Sequence, residues 1–419
     1  MKYLVLIFLI LSNYYSCSSH TKEADILKIG VISDIHYLSE QLMDGGEAII
    51  NYDKASIKTV REVPAILQQV LDDYLNSNID ILFVTGDMTK DGEKQSHIDF
   101  TNKLKPLIDK GIRIFVIPGN HDINVPKPVG YKENSTYPVE NVNPEEFTKI
   151  YQACGYGDAL KRDANSLSYL AELNPSTWLL AIDSNRYREY TNSTISSGKI
   201  SSETEQWITE IMKEAKEKNM QVISLMHHGL VEHIMMQSMF FEEYIIEDWR
   251  RLAPLFADMG IKAIFTGHFH ANDITEYVSP SGNKIYDIET GSLAAYAFPY
   301  RFVELSPDGM KISTKNITST SNRPDLAENS KVMMEKTAKQ LAIGKLNSKG
   351  MKFPPETTGL ISDIIAKVFV KHLEGDETVD KELEQLLQQL AKQLDSPIDI
   401  TQLSKLDFEP ADNNVEISF

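Results

Sequence analysis

Ile112-Arg113-Ile114-Phe115-Val116-Ile117-Pro118-Gly119-Asn120-His121-Asp122 is the stretch whose reading decides the fold. Six mostly apolar residues make a buried strand, and Pro118 and Gly119 end its pairing. Three polar side chains are then delivered together at the carboxyl end. Asn supplies a neutral oxygen, His a nitrogen that titrates near neutral pH, and Asp a charge that can orient the His. Alone, such a turn reads equally well as an ordinary polar loop. The decision rests on how the other strands end.

They end in the same way. Lys28–Ser33 reads as a strand that stops at Asp34-Ile35-His36, and Ile79–Val84 as one that stops at Thr85-Gly86-Asp87. Between them, Val63, Ile66, Leu67, Val70, Leu71, Tyr74 and Leu75 keep helical spacing, with Pro64 suited to the first turn. A helix over Glu93–Lys110 closes at Gly111. Strands are expected at Ser166–Leu170 and Thr177–Ile182, and a helix at Ser202–Asn219. Gln221–Met226 runs into His227-His228-Gly229, and Ile261–Phe265 runs into Thr266-Gly267-His268-Phe269-His270 after a helix at Trp249–Met259. Three further strand-like runs reach Leu305.

Five strand ends therefore carry metal-ligand chemistry, and six of the ten histidines lie in them. In extended chain, residues i and i+2 share a face, so Asp34 with His36 and His268 with His270 can each grip one site. The glycines allow close backbone approach.

The ordered set D-x-H, G-D, G-N-H-[D/E], H, G-H-x-H resembles the calcineurin-like metallophosphoesterase superfamily over Ile26 to Ile317. The resemblance implies an α/β fold, a sandwich of two mixed β-sheets flanked by helices, with two divalent metal ions (Mn, Fe or Zn) at one edge. Asp34, His36 and His270 would hold the first ion and Asn120, His227 and His268 the second, with Asp87 bridging both. His121 would stand at the leaving group and Asp122 would orient it. The implied reaction is hydrolysis of a phosphate ester by a metal-bridging hydroxide. Lys90 stands where purple acid phosphatases carry Tyr, and the G-D-x-x-D-R-G and G-N-H-E texts of protein phosphatases are absent. The group containing class III cyclic-nucleotide phosphodiesterases and glycerophosphodiesterases is nearest, although Gly229 replaces its usual Pro. A phosphodiesterase is thus expected, with a phosphomonoesterase such as a nucleotidase, or a non-catalytic scaffold, as alternatives.

The remaining sequence bounds the context. With 42 Lys+Arg against 60 Asp+Glu the formal net charge is −18, which opposes binding of a nucleic-acid polymer. The partner expected in the site is a small phosphate ester. Lys2 followed by nine apolar residues, Tyr3 to Leu11, is too short for a bilayer span of about 20 residues and reads as a signal peptide. Cys17 after Ser16 resembles a lipoprotein anchor, with plain secretion as the alternative. The expected organisation is a signal peptide at 1–16, a tether at 17–25, the catalytic domain at 26–317 and an all-α region at 318–419. In that region Ile361, Ile364, Ile365 and Val368 form one apolar stripe, and Leu383, Leu386, Leu387, Leu390 and Leu394 another, each needing cover. The run Met235–Phe241, Arg301, the Gly291-Ser292 turn and the loop from Ile123 to Asn143 are secondary candidates for the pocket. His97, His233, His372 and Cys154 are expected at the surface or in packing.

Overall fold

A computed structural model of the chain describes residues 26–394 and 408–419; the signal peptide, Cys17 and the rest of the 17–25 tether lie outside them. In chain order the strands are β1 (Leu27–Ile32), β2 (Ile81–Val84), β3 (Arg113–Val116), β4 (Val129–Lys132), β5 (Ser135–Pro138), β6 (Lys161–Arg162), β7 (Tyr169–Asn174), β8 (Thr177–Ile182), β9 (Gln221–Met226), β10 (Ile261–Thr266), β11 (Asp273–Val278), β12 (Lys284–Glu289), β13 (Pro299–Ser306), β14 (Gly309–Asn316) and β15 (Asn414–Ser418). The helices are α1 (Glu47–Ala55), α2 (Val63–Asn76), α3 (Lys94–Asp109), α4 (Pro144–Ile150), α5 (Ser202–Glu217), α6 (Gln237–Phe240), α7 (Trp249–Met259), α8 (Leu326–Ser348), α9 (Pro355–Glu374) and α10 (Lys381–Gln393).

The apolar runs need cover on both faces, and two mixed sheets provide it. One has the order β15-β14-β13-β1-β2-β3 and the other β11-β12-β10-β9-β8-β7-β6. β1, β2 and β3 are mutually parallel, and so are β8, β9, β10 and β12. Phe83 of β2 meets Phe115 of β3 and Phe265 of β10, at ring-centroid separations of 6.3 and 5.4 Å, so the main core lies between the sheets. Helices α2 and α3 join this core, while Leu180, Met226 and Ile264 on the other sheet are covered by α5 and α7. The carboxyl ends of β2, β9 and β10 are tied together: Thr85 Oγ1 donates to Thr266 O at 3.2 Å and Gly267 N to His227 O at 3.0 Å. This tie gathers the polar strand ends at one edge.

The helical C-terminal region is present as α8, α9 and α10. Met334, Val370 and Leu373 seat it on Ala295, beyond the end of β12. The chain then returns to the first sheet, where β15 pairs with β14, a strand that the expected all-α region did not contain. The expected Ser166–Leu170 strand begins only at Tyr169, because Ser166 and Ser168 are engaged with each other and with the Asp163 and Asp183 turns. No helix among the described residues is long and apolar enough to cross a membrane.

Candidate metal centre

Each strand end bends sharply before presenting its side chain. Asp34, His36, Asp87, His268 and His270 all have positive φ, between 45° and 75°, a region non-glycine residues rarely occupy. The D-x-H and H-x-H pairs therefore act from left-handed backbone, not from extended chain, and His268 and His270 part to different groups. Such strain persists only where the surroundings enforce it, and here it turns side chains toward one another. Gly86 and Gly119 permit the crowding. A Cβ on Gly86 would stand 2.4 Å from His227 Nδ1, and one on Gly119 would stand 2.2 Å from Asp87 Oδ1.

Two buried groups result, Asp34 with His36 and His270, and Asp87 with His227 and His268. In the first, His36 Nε2 and His270 Nε2 face each other at 3.3 Å. Asp34 Oδ2 is occupied by the Ser33 hydroxyl at 2.5 Å and by His268 N–H at 2.9 Å. Asp34 Oδ1 is buried with no hydrogen-bond partner, 3.3 Å from His270 Nε2. In the second, His227 Nδ1 meets Thr85 O at 2.9 Å, which fixes the ring and leaves Nε2 facing Asn120 Oδ1 at 3.2 Å. Asp87 Oδ2 lies 3.6 Å from both His36 Nε2 and His227 Nε2, midway between the groups, while Oδ1 accepts His121 N–H at 2.7 Å.

A buried carboxylate oxygen that accepts no hydrogen bond, with His270 Nε2 at 3.3 Å and His36 Nε2 at 3.9 Å, fits a cation better than a proton. The electrostatics divide the histidines. Burial opposes charge on His227, but the Asp87 carboxylate outweighs it and raises the imidazole to about 9. Burial, then the neighbouring His227, push His268 down to about 3, and burial with Lys58 pushes His36 well below its usual range. Burial would raise Asp87, yet His227 and His121 hold it well below the ordinary carboxylate range. Mixed nitrogen and oxygen donors on two adjacent groups suit two divalent transition ions.

The sequence profile of the calcineurin-like phosphoesterases matches residues 27–272. The chain belongs to that family. Metal-dependent hydrolysis of phosphate esters comes with membership. No curated protein matches the sequence. Among solved structures, a dimetal phosphatase from Danio rerio is 12% identical, covering 69% of this chain and 96% of its own, with a TM-score of 0.48. A purple acid phosphatase from yellow lupin is 14% identical, covering 70% of this chain and 52% of its own, with a TM-score of 0.45. A putative 5'-nucleotidase from Staphylococcus aureus is 13% identical over 74% of this chain and 59% of its own, with a TM-score of 0.39.

On this family's frame, the partner expected for His121 is replaced. Asp122 turns back onto the backbone: Oδ2 accepts Gly119 N–H at 2.8 Å and Met88 N–H at 3.2 Å, and Oδ1 accepts Thr89 N–H at 2.9 Å. It knits two strand-end loops together. Burial, then Asp87, raise its carboxyl to about 7. The carboxylate at His121 is Asp91, whose Oδ1 lies 2.9 Å from His121 Nδ1. Asp91 in turn forms a close ion pair with buried Lys90, whose ammonium sits 4.5 Å over the Tyr52 ring.

Lys58 is the second unforeseen member. Its Nζ stands 3.2 Å from His36 Nδ1, and burial pulls its ammonium below the ordinary range. The pocket over the ligands is lined by Lys58, His121 and Ser196 and by an apolar wall of Ile57, Phe241, Tyr244, Phe269, Leu341 and Phe369. Leu341 and Phe369 come from α8 and α9, so the C-terminal region completes the pocket. The loop from Ile123 to Asn143 does not line it and instead folds into the β4–β5 hairpin.

The other candidates are structural. Buried Arg301 donates to the carbonyls of Glu289 and Asp412 at 2.7 and 2.5 Å, and the Ser292 hydroxyl to Asp34 O at 2.7 Å. His228 is pinned between Ser184 Oγ and Ser196 O at 2.7 and 2.9 Å. Cys154 is buried, and desolvation raises its thiol to about 12. His97, His233 and His372 are all buried, none at the surface.

Proposed function

We propose that the chain hydrolyses phosphodiesters at this centre, as an exported enzyme anchored to a membrane through Cys17. The observation that carries the diester reading is the pocket wall. Among the described lining residues Lys58 is the only Lys or Arg, and the side away from the ligands is aromatic and aliphatic. A diester is a monoanion with two organic groups, and it suits one cation and an apolar wall. A monoester is largely dianionic at neutral pH and would leave that wall unused.

Asp34, His36 and His270 would hold one ion, Asn120, His227 and His268 the other, and Asp87 would serve both. When bound, the two ions supply the Lewis acidity for phosphoryl hydrolysis. The chain's own residues do the rest. Lys58 draws the phosphate anion into the pocket. Were His36 to hold an ion, its proton would lie on Nδ1, and the Lys58 ammonium now 3.2 Å from that nitrogen would be free for substrate. Asp91 fixes His121 through Nδ1, leaving Nε2 to protonate the departing oxygen. Gly119 and Asp122 hold the loop that presents Asn120 and His121. The test is the relative kcat/KM for bis-p-nitrophenyl phosphate and p-nitrophenyl phosphate with Mn²⁺. Preference for the diester is expected; a strong preference for the monoester favours a nucleotidase-like enzyme instead.

A further inference from the structure

Next to the reaction pocket lies an apolar cavity of about 360 Å³, between the Met235–Phe241 segment and helices α8 and α9. Its floor is the α9 stripe of Ile361, Ile364, Ile365 and Val368, which is left half-buried. Lys345 alone among its lining residues is charged, and its ammonium is spent on Glu243 at 2.6 Å. Met235, Met236, Met351 and Phe353 at its edge are 36–50% exposed, an apolar rim of the kind that marks a binding surface. The cavity and the reaction pocket share three walls, Phe241, Phe269 and Phe369. These three side chains stand between the two spaces, which are therefore adjacent.

We infer that this cavity takes the hydrocarbon part of the substrate, an amphiphilic phosphodiester with one alkyl or acyl chain along α9 and its phosphate at Lys58 and the ligand cluster. The inference rests on the phosphodiesterase reading above and narrows it to a substrate class. A peptide segment would bring backbone N–H and C=O groups that these walls leave unpaired, whereas a hydrocarbon chain needs no polar partner. The volume falls in the usual range for small-molecule sites. The reaction adds water across one P–O bond. It releases one alcohol, which takes up a proton, and leaves a phosphomonoester carrying the other organic group.

The experiment uses the Mn²⁺-loaded full chain and a series of 4-nitrophenyl alkyl phosphates, methyl to octyl, below their micellar concentrations. kcat/KM is expected to rise by about fourfold per added methylene, then to level as the cavity fills. Ile365→Trp should flatten the octyl-to-methyl ratio; should that variant not fold, Ala342→Leu fills the same space from α8. A flat series with the methyl ester cleaved would overturn the inference and leave the phosphodiesterase reading standing. Cleavage of no ester would overturn both. A steep series unchanged in the folded cavity variants would place the chain elsewhere and also overturn it. So would a flat series in which phospholipid vesicles raise activity, because the apolar rim would then meet a membrane instead of the substrate chain.

Discussion

Two clusters of histidine and carboxylate, one at the ends of β1, β2, β9 and β10 and one around β11 and β12, are built from the same residue types and do opposite things. The open one comprises Asp34, His36, Asp87, His227, His268 and His270. The sealed one comprises His233, Asp273, Asp287, Glu289, His372 and Glu377, all buried. In the sealed cluster the short contacts pair an imidazole nitrogen with a carboxylate oxygen, while Asp273 Oδ2, Glu289 Oε2, Glu377 Oε2 and His372 Nε2 make no hydrogen bond. His233 Nδ1 is 2.5 Å from Asp273 Oδ1 and its Nε2 is 3.1 Å from Asp287 Oδ2; His372 Nδ1 is 2.5 Å from Glu377 Oε1. In the open cluster imidazole faces imidazole, and Asp87 Oδ2 stays 3.6 Å from both of its histidines. Short imidazole–carboxylate pairs mark the sealed cluster, and facing imidazoles mark the open one. Asp273, His372 and Glu377 are close enough together to hold an ion, so the distinction is open to test.

The largest effect belongs to the open cluster. Asp87→Asn removes the carboxylate shared by both groups; hydrolysis should fall by on the order of 10³-fold or more, with bound metal below two per chain and circular dichroism unchanged. His121→Asn should cost about 10²–10⁴-fold on an ester with an alkoxide leaving group and far less on a p-nitrophenyl ester, which departs without a proton. Equal losses on both would make His121 a phosphate-positioning group. Asp91→Asn should follow the same leaving-group pattern at about 10–100-fold.

The sealed cluster should answer in stability instead. His372→Gln leaves Glu377 and Asp273 buried without their imidazolium and should cost about 3–5 kcal/mol in denaturant unfolding. Metal content should stay at two per chain. Loss of a third equivalent in that variant would break the comparison outright, because the sealed cluster would then be an ion site as well.

The smallest effect is its pH dependence. Burial opposes charge on His233 and His372, but Asp287 and Asp273 around the first and Glu377 beside the second outweigh it and raise both imidazoles. A raised histidine contributes fully below its unfolded pKa of about 6.5, and the contribution is lost as pH rises through the folded value. Burial raises Glu289 to about 8, so its cost to the fold grows between about 4.5 and 8, in the same direction. Tm should therefore decline from neutral toward alkaline pH, and less steeply in His372→Gln.

The open cluster was legible in the sequence because its parts are local. An apolar run ends in a ligand residue five times over, with a glycine just before it at Gly86, Gly119 and Gly267. The sandwich was implied by the family resemblance that those motifs carry. What lay beyond reach was set by tertiary placement. Asp91 follows Gly86-Asp87 closely in sequence, yet its facing of His121 depends on how two loops cross. Lys58 and Phe369 belong to no motif, and β15 pairs with a strand about a hundred residues earlier. The Asp122 expectation failed because a residue next to His121 in a tight turn points back into the backbone. The two C-terminal stripes do pack on each other, Ile364 and Val368 of α9 against Leu383 and Leu387 of α10, but the cavity beside the α9 stripe does not follow from amphipathicity.

The most direct test is a Mn²⁺ titration of the metal-stripped chain, following bound metal and cleavage of bis-p-nitrophenyl phosphate together. Activity should be absent at the start, reach its plateau as the second equivalent binds, and fail to appear in Asp87→Asn. Full activity in the metal-free chain, or in Asp87→Asn, would contradict the assignment of the open cluster as a two-metal phosphoesterase centre.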